Sequence, residues 1–115
     1  MYNHERLIVW KKADELAHLA YRVTRKFPKE EDFRLVSQIR RAAVSVPTNI
    51  VEGVARQNKN ETKQFINIAL GSLAEIDYLF SFSKEEGFVS NDDFVCLKSL
   101  REQVGSLLWK FYQCF

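Results

Sequence analysis

A carboxylate and an imidazole stand three residues apart near the start of the chain, at Glu15 and His18. A Glu-x-x-His pair on a helix is the ligand spacing of di-iron four-helix bundles. Such a site needs two of these pairs and a further Glu from each of the other two helices, all pointing inward. This chain has one pair, which lies on a helical wheel opposite the apolar stripe of its helix. The spacing therefore predicts no metal site.

The other reactive residue types also lack a catalytic spacing. Cys96 and Cys114 do not form a Cys/His cluster with zinc spacing. With two histidines in the chain, the serines have no plausible nucleophile–base arrangement. The four glycines are isolated, so no glycine-rich loop can hold a phosphate. We therefore expect no catalytic, cofactor-binding or metal-binding residues, no small-molecule substrate, and a protein that is not an enzyme.

Cations form two groups that could contact RNA or DNA. Residues 1–56 hold eleven Lys and Arg against seven Asp and Glu, whereas residues 57–115 hold six against eight. Clustered cations bind phosphates by charge and by counterion release. Ordinary solvated side chains are the alternative, because no nucleic-acid-reading motif accompanies them. The candidate contacts are Lys11, Arg22, Arg25 and Lys26 on the first predicted helix, and Arg34, Arg41 and Arg56 on the second.

Apolar residues recur with helical spacing along four stretches, and no useful run alternates as a strand would. The predicted helices span about residues 5–27, 32–57, 60–86 and 91–113 of a single domain, 1–115. Short connections make neighbouring helices antiparallel, so we expect an all-α, left-handed, up-down-up-down four-helix bundle. The start does not resemble a signal peptide, and no apolar run approaches the ~20 residues of a membrane span. A cytoplasmic location without membrane contact is predicted.

The second helix is apolar on two sides. Its core stripe includes Ile39 and Ile50, while Val44, Val51 and Ala55 occupy the opposite side, where a solvated helix is polar. A second contact surface is favoured over a scatter of exposed small residues. Pro47 interrupts the hydrogen bonding, but the apolar spacing continues in phase through it, which favours a kink over a restart.

The third helix is apolar around even more of its circumference, and it is the leading candidate for subunit contact. Gly71, in its middle, is predicted to lie opposite Val46 and Pro47 and to leave room for the second helix. On the fourth helix, a Trp that points away from the core stripe is either an interface anchor or a partly covered surface residue. The candidate interface residues beyond the second helix are Ile68, Leu70, Ala74, Tyr78, Phe82 and Trp109.

Several segments together resemble the four-helix-bundle proteins encoded in intervening sequences of bacterial 23S rRNA genes, often labelled S23 ribosomal protein. The segments are residues 38–43, 45–53, 7–13, 27–28 and 69–75. The resemblance covers nearly the whole chain and implies an up-down bundle and a homopentamer. It extends to accessory proteins of diversity-generating retroelements, which bind nucleic acid, but it implies no activity.

The resemblance also points to Asn49, Glu52 and Gly53 as residues that matter to the family, beside Pro47 and Gly71. A structural role at a helix interface is favoured over catalysis. Glu52 and Arg56, four residues apart, are predicted to form an ion pair.

Two functions remain open from the sequence. One is a homo-oligomeric helical protein that binds RNA or DNA through a basic surface. The alternative is a protein–protein interaction module or scaffold with no nucleic-acid role.

Overall fold

The structure, a computed structural model, describes residues 7–115. Within this range the chain forms four α-helices, α1 (Ile8–Thr24), α2 (Ser37–Val54), α3 (Lys59–Glu85) and α4 (Asn91–Gln113). Each helix contacts its neighbours in sequence, and α1 also contacts α4, which closes an antiparallel up-down-up-down bundle. The predicted four-helix bundle is confirmed. The predicted start of the first helix, residue 5, lies outside the described residues.

The connection from α1 to α2 differs from the prediction. α1 ends three residues before Phe27, because its last turn tightens to bonds between residues three apart, such as the Phe27 N–H donating to the Thr24 carbonyl at 3.1 Å. A 3₁₀ turn, Lys29–Glu31, and a π-helical turn, Asp32–Val36, then lead into α2. The start predicted for the second helix is therefore π-helical rather than α-helical.

The ends of α3 follow from the local chemistry of Asn58 and Gly87. The Asn58 side chain accepts hydrogen bonds from the backbone N–H groups of Asn60 and Glu61, at 2.8 and 3.2 Å. At the other end Gly87 adopts a φ of 84°, and the Phe88 N–H donates to the Ser83 carbonyl at 2.9 Å. These are the features of a Schellman motif, in which glycine adopts the left-handed conformation without a Cβ penalty.

All four helices contribute to one apolar core. The largest fully buried apolar side chains are Leu16, Ile39, Val46, Ile50, Ile66, Leu73, Ile76, Val104 and Leu108. Pro47 is also buried, and α2 continues through it without a restart. The Thr48 hydroxyl donates to the Val44 carbonyl at 2.7 Å in the turn that contains the proline.

The α2–α3 contact is the largest between any two helices, and Gly53 lies within it. A Cβ built on Gly53 would be 3.1 Å from the Phe65 Cβ and 3.5 Å from the Thr62 carbonyl oxygen. The buried Thr62 hydroxyl donates to the Gly53 carbonyl at 2.9 Å. Gly53 therefore lets the two backbones approach closely enough for a side chain of one helix to bond the backbone of the other.

The predicted role of Gly71 is wrong. Gly71 is exposed, and a Cβ built on it would have no neighbour within 4 Å. The alignment across the turn is nearly right, because the hydroxyls of Ser72 and Ser45 lie 2.9 Å apart. Successive residues of a helix point about 100° apart, so Ser72 faces α2 and Gly71 faces outward.

One window of 18 residues in α3 has a mean hydropathy of 1.3, so by length and composition this helix could cross a membrane. This differs from the expectation that no apolar run is long enough. A third of the window is buried inside the bundle. The core helix of a bundle passes the same test, so the hydropathy of α3 does not by itself indicate a membrane.

We predict that Gly53→Leu lowers the free energy of unfolding by about 1–3 kcal/mol, the usual effect of overpacking a close contact. Leucine has a high helix propensity, so the loss would come from the clash with Phe65 and Thr62 and not from the helix itself. Chemical denaturation followed by circular dichroism measures the change. Stability at or above that of the wild type would show that α2 and α3 do not need this close approach.

Gly71→Ala is the matched control. It changes a glycine of the neighbouring helix where the added methyl meets nothing. The free energy of unfolding should rise by up to about 1 kcal/mol, the propensity gain of alanine over glycine within a helix. A decrease would mean that Gly71 contacts a neighbouring residue, either within the bundle or in a second copy of the chain.

Candidate interaction surfaces

The predicted phosphate-binding cations of α1 are all exposed. Lys26 is already engaged, because its ammonium lies 3.0 Å from the Asp93 carboxylate at the start of α4. Lys11, Arg22 and Arg25 form no ion pair with any residue of the range 7–115. These three remain available to a ligand or partner.

The predicted cations of the second helix likewise include two side chains without an ion pair within residues 7–115 and one that is engaged. Arg34 and Arg41 are exposed and have no ion pair among the described residues. The guanidinium of Arg56 lies 4.8 Å from the centre of the Phe65 ring, as a cation–π contact. The predicted Glu52–Arg56 ion pair is wrong, because Arg56 turns toward this ring instead and Glu52 stays exposed.

The antiparallel arrangement brings five of the seven cations, Lys26 among them, to one end of the bundle, which also carries the acids Glu30, Glu31, Asp32, Asp92 and Asp93. Arg22 and Arg25 lie in or just after the last turn of α1, and Arg34 and Arg41 lie at the beginning of the second helical segment. Lys11 is at the opposite end of α1. The sequence assigns these cations to two separate helices, whereas the fold brings most of them to the same end of the bundle.

Arg40 lies at the same end, and the sequence analysis missed it. Its Nε donates to the Thr24 hydroxyl at 3.0 Å and its guanidinium lies 4.5 Å from the centre of the Tyr21 ring. A second nitrogen lies 3.4 Å from the Tyr21 carbonyl oxygen. Arg40 thus stabilises the carboxyl end of α1 against α2. It is partly buried and already bonded, which distinguishes it from the exposed arginines around it.

An open apolar groove of about 360 Å³ runs between α1 and α2. We call it the α1–α2 groove. Asp14, His18 and Thr48 are its polar members, and His18 Nε2 lies 3.5 Å from Asp14 Oδ1. Its remaining lining residues are Trp10, Ala17, Tyr21, Val44, Pro47 and Val51.

The sequence predicted the α2 side of this groove but not the α1 side. Val44 and Val51 were candidate interface residues, whereas the outer surface of α1 was interpreted as polar. The missed signal is the pair Trp10 and Tyr21, at i and i+11, which lie beside the core stripe of α1 and widen it on the side of Ala17. Because two different helices contribute, the concave shape is visible only in the folded chain.

A second apolar surface lies on the outside of α3. We call it the α3 ridge and define it by Ile68, Gly71, Ala74, Tyr78 and Phe82. All five are exposed, and Tyr78 exposes 65% of its surface. The Tyr78 and Phe82 rings are 6.3 Å apart, centre to centre. The ridge therefore presents two neighbouring aromatic side chains beside small residues.

The other candidate interface residues do not belong to either surface. Leu70 is partly buried and packs on the core, so only part of its side chain is available to a second subunit. Ala55 is exposed at the end of α2. Trp109 is half exposed and stacks on Tyr112 at 5.5 Å, and the Lys63 ammonium lies 5.0 Å from the centre of the Tyr112 ring. Trp109 is thereby placed near the first turn of α3, away from Tyr78 and Phe82.

Asn49 lies at the α2–α3 contact, close to Gly53. Its amide nitrogen donates to the Ser45 carbonyl at 2.7 Å and lies 2.9 Å from the Ser45 hydroxyl, which in turn meets the Ser72 hydroxyl. These bonds join three side chains into one chain across the two helices. The geometry gives Asn49 a structural role there.

The acidic and histidine side chains are dispersed. Glu15 lies 3.7 Å from Lys12, and His18 turns to Asp14, so the Glu15–His18 spacing does not converge on one point. Among residues 7–115, no three His, Cys, Asp or Glu side chains come together in a way that could hold a metal ion. Both cysteines are exposed free thiols.

Comparison with known proteins agrees with this fold. The model of the family described as 23S rRNA-intervening sequence protein matches residues 5–110. A crystal structure of a protein of unknown function from the S23 ribosomal protein family of Bacteroides thetaiotaomicron VPI-5482 superposes with a TM-score of 0.83. It is 20% identical in sequence, and the superposition covers 92% of this chain and 96% of that one. No curated protein matches the sequence. Because the family match spans nearly all of its length, the chain belongs to the 23S rRNA-intervening sequence protein family.

Proposed function

We propose that this protein is a non-enzymatic helical scaffold of the cytoplasm that assembles with copies of itself. The observation that carries the proposal is the α3 ridge, where Ile68, Tyr78 and Phe82 stay exposed after the bundle has closed. Exposed apolar side chains grouped in this way on a folded domain mark an interaction site more often than a solvated face does. A non-enzymatic role is supported by the dispersion of the reactive side chains within residues 7–115.

The α1–α2 groove adds a second apolar surface to the same small domain. Burying either surface removes it from water and stabilises an assembly by about 25 cal/mol for each Å² of apolar area. Both surfaces are positioned by the backbone of rigid helices and not by loops. Association therefore needs little ordering of the chain, which lowers its entropic cost.

Light scattering coupled to size-exclusion chromatography tests the proposal. We expect the wild-type chain at micromolar concentration to have a mass that is a multiple of 13.5 kDa. Its thermal midpoint should rise with protein concentration, because assembly stabilises the folded state by mass action. A well-folded monomer with a concentration-independent midpoint would contradict self-association.

We propose nucleic-acid binding as a second function of the same scaffold. The specific observation in its favour is that Lys11, Arg22, Arg25, Arg34 and Arg41 are exposed and form no ion pair within residues 7–115. Four of them lie at one end of the bundle. Such a group of cations attracts phosphates through long-range charge and counterion release. The family description refers to 23S rRNA intervening sequences, so structured RNA from such a sequence is the appropriate first probe.

Gel-shift titration at ~50 mM salt, where phosphate contacts are strong, tests this second function. Arg25→Glu should weaken binding and reduce the steepness of the salt dependence by about one unit, because it removes one phosphate contact. Lys110→Glu, on the exposed surface of α4, makes the same change of charge away from the cluster and should have the smaller effect. The mass of each variant is measured in parallel, so that loss of assembly is not mistaken for loss of binding.

If the wild-type protein assembles but does not shift the RNA, the nucleic-acid function is wrong and the scaffold without a nucleic-acid role is supported. Equal loss of binding in both variants would instead show that net charge alone drives association.

A further inference from the structure

We propose that copies of this chain pair head to tail, with the α3 ridge of one copy inserted into the α1–α2 groove of the next. This inference rests on the proposed self-association and identifies the surfaces that carry it. The α3 ridge of each copy would then bind the α1–α2 groove of an identical chain.

The shapes of the two surfaces are complementary. The groove is concave, and its volume of about 360 Å³ lies within the ~300–1,000 Å³ range of pockets that enclose small ligands. The ridge is convex and presents the adjacent rings of Tyr78 and Phe82. One or both of these side chains can occupy the groove between Tyr21 and Val51. Two grooves placed face to face would leave the space between them unfilled.

Small residues within the ridge allow a close approach. A Cβ built on Gly71 would have no neighbour within 4 Å, and Ala74 is exposed one turn further along α3. A neighbouring copy can therefore lie close to the α3 backbone between Ile68 and Tyr78. The exposed position of Gly71, which has no role inside the monomer, is explained by this contact.

Cations border the groove. His18 lines it, and Lys11 and Arg25 lie seven residues before and after His18, two helical turns away on the same face of α1. Thr48 lines it from the other side, with Arg41 seven residues before it and the exposed Glu52 four residues after it on α2, so three cations and one acid border the groove. Asp14 is the one acid among the lining residues, and it lies within 3.5 Å of His18.

Acids border the ridge. Glu75 lies between Gly71 and Tyr78 on the outer surface of α3, and Glu85 follows Tyr78 by seven residues. Both are exposed, and neither forms an ion pair with any residue of the range 7–115.

Opposite charges therefore favour ridge against groove over either surface against itself. Two ridges in contact would bring Glu75 and Glu85 of one copy near the same acids of the other, and two grooves would bring cations together. Like charges across an interface are unfavourable, and they select against the wrong partner. A contact between two different surfaces is heterologous, so a chain of copies ends in one free ridge and one free groove until a ring closes.

The test uses two variants that each destroy one surface by placing a carboxylate in it. Val44→Glu changes the groove and Tyr78→Glu changes the ridge, and both side chains are exposed in the monomer. Val95→Glu is the matched control, since Val95 lies on α4 and exposes 66% of its surface outside both surfaces. Circular dichroism verifies that each variant is folded. Thr48→Glu, at another exposed position in the groove, replaces Val44→Glu if that variant unfolds.

We expect wild type and Val95→Glu to assemble, and Val44→Glu and Tyr78→Glu each to be monomeric alone. An equimolar mixture of these last two should form a species of twice the 13.5 kDa subunit mass, because one copy keeps its ridge and the other keeps its groove. The two surfaces left free in that pair are the altered ones, and each carries a new carboxylate. They cannot form a second contact, so growth stops at two copies.

Assembly of either single variant, or a mixture that stays monomeric while the wild type assembles, would overturn the ridge–groove pairing and leave the scaffold proposal intact. A monomeric wild-type chain would overturn both. Failure of the ridge–groove pairing is observed in the variants and their mixture. Failure of self-association is observed in the wild-type chain, so the two failures are distinguishable.

Discussion

Gly53 and Thr62 hold α2 and α3 together where the two backbones are closest. The missing side chain at Gly53 leaves space for α3, and the Thr62 hydroxyl donates to the Gly53 carbonyl. Such a contact fixes the rotation of both helices about their axes. Because Gly53 points toward α3, Val44, on the opposite side of α2, must point away from it and toward α1. Because Thr62 points toward α2, Tyr78 points outward. The positions of the groove and the ridge both follow from this one contact.

The same contact explains why this small domain retains so much exposed apolar surface. α2 and α3 each bury one stripe in the shared core, and the stripe that remains has no partner within the bundle. α1 covers part of the α2 stripe, which leaves a groove and not a flat surface, while the outer surface of α3 has no neighbouring helix. A bundle whose outer helix surfaces were polar would be complete as a monomer. Here the folded chain has two apolar surfaces of opposite curvature.

Charge separates these two surfaces. Lys11 on α1, Arg25 just after α1 and Arg41 on α2 border the groove, whereas Glu75 and Glu85 lie along α3. The cations with bonded neighbours serve the fold: Lys26 joins α1 to the start of α4, and Arg40 joins α2 to the end of α1. RNA phosphates and the acidic ridge of a second copy would contact some of the same exposed cations. Binding of one ligand would then affect binding of the other, as linkage requires for sites that share groups.

The sequence by itself determined the four helices and the connections before and after α3. These depend on local chemistry: the apolar period of each helix, the Asn58 cap and the Gly87 turn. It also identified α2 and α3 as apolar on more than one side, which is a property of each helix alone. Only the tertiary structure decided which residue faced which neighbour. A rotation of about 100° separates Gly71 from Ser72, and no local signal specifies it. The groove likewise formed only when Trp10 and Tyr21 of α1 met Val44 and Val51 of α2, because a surface shared by two elements exists only after they have packed.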